Sequence, residues 1–325
     1  MPDNNIKCSR EHCYVPERGE TCDEGHLDVN ACAHFRGSKA AKSANKHDRD
    51  ATSGFHFPWS GNSLGLNDFS FISGRSHPHI IGIVGPHNAG KTTLLTVQYL
   101  LLSRGNISSE HKFAGSYTFG GWENLAHYMR WKGNIPPTFP PHTSSSDKRR
   151  PGLLHLSFRQ TGGSLLDLAL TDAPGEWFSR WALDKNDQEA GGARWTASNS
   201  DAFILIVDCE SLVGQQRGVA RESIERIAER LNAELANRPV AVVWTKSDIA
   251  VKEPVKNFLQ DRFANLFPDH EEFHVSVKKE GVNNRITESA FKELWRWILT
   301  RKAPSVKEFL STPPAGDDLF LIYRG

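Results

Sequence analysis

A short apolar run, His79 to Val84, passes without a break into Gly85-Pro86-His87-Asn88-Ala89-Gly90-Lys91-Thr92, and residues 93–103 then read as a helix. The spacing is G-x-x-x-x-G-K-T in a strand-loop-helix setting, which few architectures can hold. Glycines let consecutive backbone amides turn toward one anion, and the following helix N-terminus adds positive potential. The residues from His87 to Thr93 would thus cradle phosphates. Lys91 would reach the β and γ phosphates, and the Thr92 hydroxyl would ligate Mg²⁺.

The text around this loop is that of an α/β domain. Apolar runs recur at Ser164 to Thr171, Ala202 to Val207 and Pro239 to Thr245, separated by helical stretches, which predicts a mostly parallel sheet flanked by helices. The clearest helix is predicted over Arg217 to Ala236, where Val219, Ile224, Ile227, Ala228, Leu231 and Leu235 recur at three- and four-residue spacings. A second amphipathic stretch, Glu288 to Leu299, carries Phe291, Leu294, Trp295 and Ile298 and would close the domain. Residues 103–152, rich in Pro and Ser, read as an irregular insertion ahead of a strand at Leu153 to Phe158.

Base choice is read outside the phosphate loop. Thr245-Lys246-Ser247-Asp248 follows the apolar strand Val240 to Trp244 and fits [NT]-K-x-D. A carboxylate at Asp248 can accept from both the N1–H and the 2-amino group of guanine, a pair of donors that adenine does not offer, while the Lys246 stem lies over the purine. Between the two motifs comes Asp172-Ala173-Pro174-Gly175-Glu176, after a further apolar run. There Asp172 would hold Mg²⁺, and the Gly175 amide would sense the γ-phosphate. About 30 residues past the base-reading motif, Ser276-Val277-Lys278 would add backbone and side-chain contacts to guanine; the alternative is a plain edge strand.

In this order, Gly85 to Thr92, Asp172 to Gly175, Thr245 to Asp248 and Ser276 to Lys278 resemble the Ras-like GTPase domain of the TRAFAC class over roughly residues 77–303. The T-D-A-P-G-E sequence at 171–176 and the long insertion before it are similar to bacterial GTPases of the double-GTPase kind, which occur in multi-protein conflict or defence systems. The resemblance implies a Mg²⁺-dependent GTP/GDP switch with in-line attack by water, in which Lys91, Gly175 and the residue at 176 serve catalysis. Many relatives have Gln at that last place. Here it is Glu176, which can orient water but also repels the γ-phosphate, so slow turnover and an arginine supplied by a protein partner at the switch region are expected. The threonine completing the Mg²⁺ shell must lie in the insertion; Thr138 is chosen over Thr143.

Four of the five cysteines, Cys8, Cys13, Cys22 and Cys32, fall in the first 32 residues, among His12, His26 and His34. A segment too small for its own core gains folding free energy from a structural Zn²⁺, so residues 1–36 are read as a zinc-binding head, with a metal-free head as the alternative. His26 or His34 can replace a cysteine in the ligand set. Residues 37–54 read as a linker, 55–303 as the GTPase domain and 304–325 as a tail.

Lys plus Arg total 39 against 38 Asp plus Glu, a net charge of +1 that argues against whole-chain attraction to nucleic acid. No run is long enough to span a membrane, and the start has no apolar leader, so the expected location is the cytoplasm. Lys148 to Arg150 read as a solvated cluster, and Trp177 and Trp181 as a switch-dependent contact. Two other readings stay open: a P-loop ATPase or kinase, and a GTP-bound scaffold that scarcely hydrolyses.

Overall fold

The computed structural model describes residues 63–65, 68, 72–74, 77–105, 107–140, 151–277 and 284–301, the side chains of 284–287 excepted. In chain order the elements are β1 (His79–Val84), α1 (Lys91–Ser103), β2 (His111–Gly115), α2 (Phe119–Tyr128), β3 (Gly152–Gln160) and β4 (Leu165–Asp172). There follow α3 (Gly175–Leu183), a 3₁₀ turn at Gln188–Ala190, α4 (Gly191–Asn199), β5 (Ala202–Asp208), α5 (Cys209–Val213) and α6 (Arg217–Ala233). The last are β6 (Val240–Thr245), α7 (Glu253–Leu266), β7 (Glu271–His274) and α8 (Asn284–Thr300).

Seven strands form one sheet in the order β2-β3-β4-β1-β5-β6-β7. The β4-β1-β5-β6-β7 neighbours are parallel, and β3 runs antiparallel to both β2 and β4. The strands β1, β5 and β6 are buried at every position, because helices cover both faces. Alternation sorts their side chains. Ile81, Ile83, Ile204, Ile206 and Val243 join α1, α2 and α8 in one core, whereas Phe203, Leu205, Val207, Val242 and Trp244 join α3, α4, α6 and α7 in the other.

The structure differs from the sequence expectations in three places. The helix predicted to Ala236 ends at Ala233, because Ala236 and Asn237 have φ of 49° and 61°, which no right-handed helix accommodates. Its first apolar residue, Val219, is exposed, leaving Ile224, Ile227, Ala228 and Leu231 as the buried stripe. The insertion is only partly irregular: β2 pairs with β3 at the sheet edge, and α2 anchors there through Trp122, whose ring stacks on Tyr99 of α1 and whose indole N–H donates to the His155 carbonyl. Finally, Trp177 and Trp181, expected as a switch-dependent contact, are core residues, 5% and 1% exposed, packed with Phe178 beneath the sheet.

Among the described residues no helix is long and apolar enough to cross a membrane. The cysteine head, the linker, Thr143, Lys148 to Arg150, Lys278 and the tail lie outside the described residues.

Candidate functional site

Parallel strands carry their C-terminal ends to one edge, so the loops after β1, β4, β5, β6 and β7 converge there. They line a cavity of about 710 Å³. That size suits a nucleotide-scale ligand.

The loop after β1 forms one wall, with His87, Asn88, Ala89, Gly90, Lys91, Thr92 and Thr93 all facing the cavity. Gly90, the residue before α1, has φ of 87° and Asn88 has φ of 58°, turns that set the loop's curl. Gly85 lies behind the cavity, where a side chain would meet Ile206 Cβ at 2.9 Å. Lys91 Nζ donates to the carbonyls of Gly85, at 3.2 Å, and Pro86, at 2.8 Å. Burial pushes its pKa down from 10.5 to about 8, against the opposing pull of Asp172 and Glu176. An anion in the loop would restore the charge.

The second wall starts at Asp172, the last residue of β4. Thr92 Oγ1 donates to Asp172 Oδ1 at 3.1 Å, bringing a hydroxyl and a carboxylate together beside the phosphate loop. Hard oxygen donors of this kind suit Mg²⁺, which takes few protein ligands and fills its shell with phosphate oxygens and water. Among the described residues no cluster of three or more His, Cys, Asp or Glu could hold a metal by itself. Two oxygen donors next to a phosphate cradle therefore fit the ion, whose other ligands come with the nucleotide.

Ala173, Pro174, Gly175 and Glu176 also line the cavity. Gly175 lies so close to the phosphate loop that a Cβ there would sit 2.3 Å from His87 N and 2.4 Å from Pro86 C, so only glycine fits. Glu176 Oε1 lies 2.7 Å from His87 Nδ1. Thr138 does not line the cavity; its amide donates to the Tyr128 carbonyl at 2.7 Å, and its neighbours Phe139 and Pro140 face inward instead.

The third wall is the base-reading loop. Thr245 Oγ1 donates to the Ala89 carbonyl at 2.9 Å, and Lys246 Nζ reaches Asp208 Oδ2 at 2.9 Å and Glu210 Oε2 at 2.7 Å. Burial works against the Lys246 charge, but the hydrogen bonds to Glu210 and Asp208 prevail and raise its pKa. Ser276 Oγ donates to Asp248 Oδ1, and Val277 lines the same wall. Glu271–His274 is an edge strand, and the residues just after it, Val275 to Val277, line the cavity.

Sequence reasoning missed the two acids that hold Lys246. The signal was present in register, since Asp208 at the end of β5 pairs with Thr245 at the end of β6 and so places Asp208 and Glu210 beside Lys246. Cys209 between them is buried and its thiol is pushed up to about 11, chiefly by burial and next by Asp208.

Sheet order, phosphate loop and cleft together fit the fold of a P-loop GTPase. The model of the Double-GTPase 2 family matches residues 79–298, and the chain belongs to that family. No curated protein matches it.

Proposed function

We propose that the domain binds GTP with Mg²⁺ and hydrolyses it to GDP, serving as a switch within a multi-protein system. The observation that carries this reading is the convergence of His87 to Thr93, Asp172 to Glu176, and Thr245 to Asp248 with Ser276 around one cavity. The phosphate loop would hold the β and γ phosphates, with Lys91 supplying positive charge. Thr92 and Asp172 would hold Mg²⁺, which supplies charge neutralisation on the phosphates. Asp248, steadied by Ser276, would accept from the guanine edge, and Lys246, held by Asp208 and Glu210, would lie along the purine face. Gly175 would offer its amide to the γ-phosphate, and Glu176 would orient the water. Thr138 would serve as the switch threonine, carried inward when the chain around Phe139 and Pro140 closes on nucleotide.

The domain division belongs to the same proposal: a zinc-binding head over residues 1–36 with Cys8, Cys13, Cys22 and Cys32 as ligands, a linker over 37–54, the GTPase domain over 55–303 and a tail over 304–325. Its support is compositional. A protein partner at the switch region and a cytoplasmic location complete it.

Equilibrium binding of GTP and ATP to the purified chain, each with Mg²⁺, tests the central assignment. A preference for GTP of about a hundredfold or more is expected. Comparable affinities would leave a P-loop protein without a guanine reader.

A further inference from the structure

A glutamate placed where water must attack a γ-phosphate poses an electrostatic problem, because the carboxylate and the phosphate repel each other. The structure contains a partner for that carboxylate. Glu176 Oε1 lies 2.7 Å from Nδ1 of His87, the third residue of the phosphate loop, and both side chains are about half-exposed at the cavity wall. Gly175, the residue before Glu176, abuts the His87 and Pro86 main chain, which brings the start of α3 against the phosphate loop.

Lys91 attracts the Glu176 carboxylate at a distance, but its hydrogen bonds, like those of the other nearby cations, go to different partners. Lys91 donates to Gly85 and Pro86, Lys246 is bound by Asp208 and Glu210, and Arg180, on the same helix as Glu176, pairs with Glu189 and Asp187. A half-exposed pair contributes little to fold stability, so its value lies in placement.

We propose that His87 is the positioning residue for Glu176: through the contact at Nδ1 it holds the carboxylate in one place at the mouth of the phosphate loop. This deepens the GTPase reading above and rests on it. In the step served, a water oxygen bonds to the γ-phosphorus, and the bond from that phosphorus to the bridging oxygen breaks with its electron pair left on GDP. One water proton passes by way of the Glu176 carboxylate to the departing phosphate. His87 itself touches neither water nor phosphorus; it orients the group that does.

The test uses the full chain and the substitutions His87→Ala, His87→Asn and Glu176→Gln. The amide of Asn can stand where Nδ1 of His stood. Single-turnover hydrolysis of GTP, equilibrium binding of GTP and the imidazole ¹⁵N shifts of His87 are measured. In His87→Ala the hydrolysis rate constant is expected to fall about tenfold to a hundredfold. Its GTP affinity should stay within about threefold of wild type, the split expected of a group acting on the chemical step. His87→Asn should recover most of the rate, and Glu176→Gln should move the His87 Nδ1 resonance in the nucleotide-free protein.

An unchanged rate in His87→Ala, an equal loss in His87→Asn, a fall in affinity that matches the fall in rate, or an unmoved resonance would overturn the inference. If wild type hydrolyses GTP and His87→Ala does so equally well, the inference alone fails. If wild type does not hydrolyse GTP, the GTPase reading fails and takes the inference with it.

Discussion

Thr245, the last residue of β6, donates its hydroxyl to the carbonyl of Ala89 in the phosphate loop at 2.9 Å, and also lies 3.3 Å from the Val207 carbonyl. One buried hydroxyl thereby ties the base-reading loop to the phosphate loop. Thr245→Val keeps the shape but leaves the Ala89 carbonyl without this donor. A loss of about 1–3 kcal/mol of stability is expected, measurable by urea denaturation, whereas Thr245→Ser should lose less.

Asp248 accepts from Ser276, which holds one carboxylate oxygen and orients the other. Asp248→Asn replaces one acceptor with a donor and mismatches the guanine edge. GTP affinity should fall about a hundredfold or more, with a gain for xanthosine triphosphate. Titration of both nucleotides against the variant distinguishes a guanine reader from an ATP site, which would be indifferent.

Lys91 should make nucleotide binding pH-dependent. Its pKa in the folded protein is lowered from 10.5 to about 8 by burial, so the free site loses this charge as pH rises through about 8. Phosphate favours the charged form, hence GTP binding above that pH requires proton uptake, and affinity should fall by up to about tenfold per pH unit. Binding measured between about pH 7 and 9 should show the slope in wild type and lose it in Lys91→Met. Linkage also sets the sign for stability. Between about pH 8 and 10.5 the unfolded chain holds the Lys91 proton more tightly, so this group makes the nucleotide-free protein more stable as pH rises across that window.

Gly175→Ala would place a methyl 2.3 Å from His87 N and 2.4 Å from Pro86 C, both main-chain atoms that cannot swing aside. The phosphate loop must shift or the start of α3 must unwind. A cost of about 1–3 kcal/mol is expected from such overpacking, together with loss of GTP binding at unchanged sheet content by circular dichroism.

Gly192 meets Trp177 in the same way, since a Cβ there would lie 2.0 Å from a ring carbon of the indole. Gly192→Ala should destabilise by a similar amount, about 1–3 kcal/mol. Because Trp177 is buried, unfolding should shift its emission to longer wavelength.

The sequence alone was enough to identify the strand His79–Val84 and the loop that follows it, the apolar runs of β4, β5 and β6, and the buried stripe of α8. These are local signals: glycine spacing, runs of β-branched residues and helical periodicity act within a few residues of themselves. The order of the motifs was equally legible, because each sits where an apolar run ends. The strand β2 and helix α2 were not, since β2 alternates weakly and exposes Lys112, Phe113 and Ala114; its pairing with β3 holds it.

Tertiary structure decided what the ends of the strands face. Parallel register sets Asp208 beside Thr245 and so gives Lys246 two acids, and it brings β4 close enough to β1 for Asp172 to meet Thr92 and Glu176 to meet His87. Trp177 and Trp181, read from their place beside the Asp172 loop as a switch-dependent contact, are put in the core by packing. The chemical parts were therefore written locally, while their distances were set by strand order, because residues 80 or more apart in the chain meet only when the sheet lays their strand ends side by side.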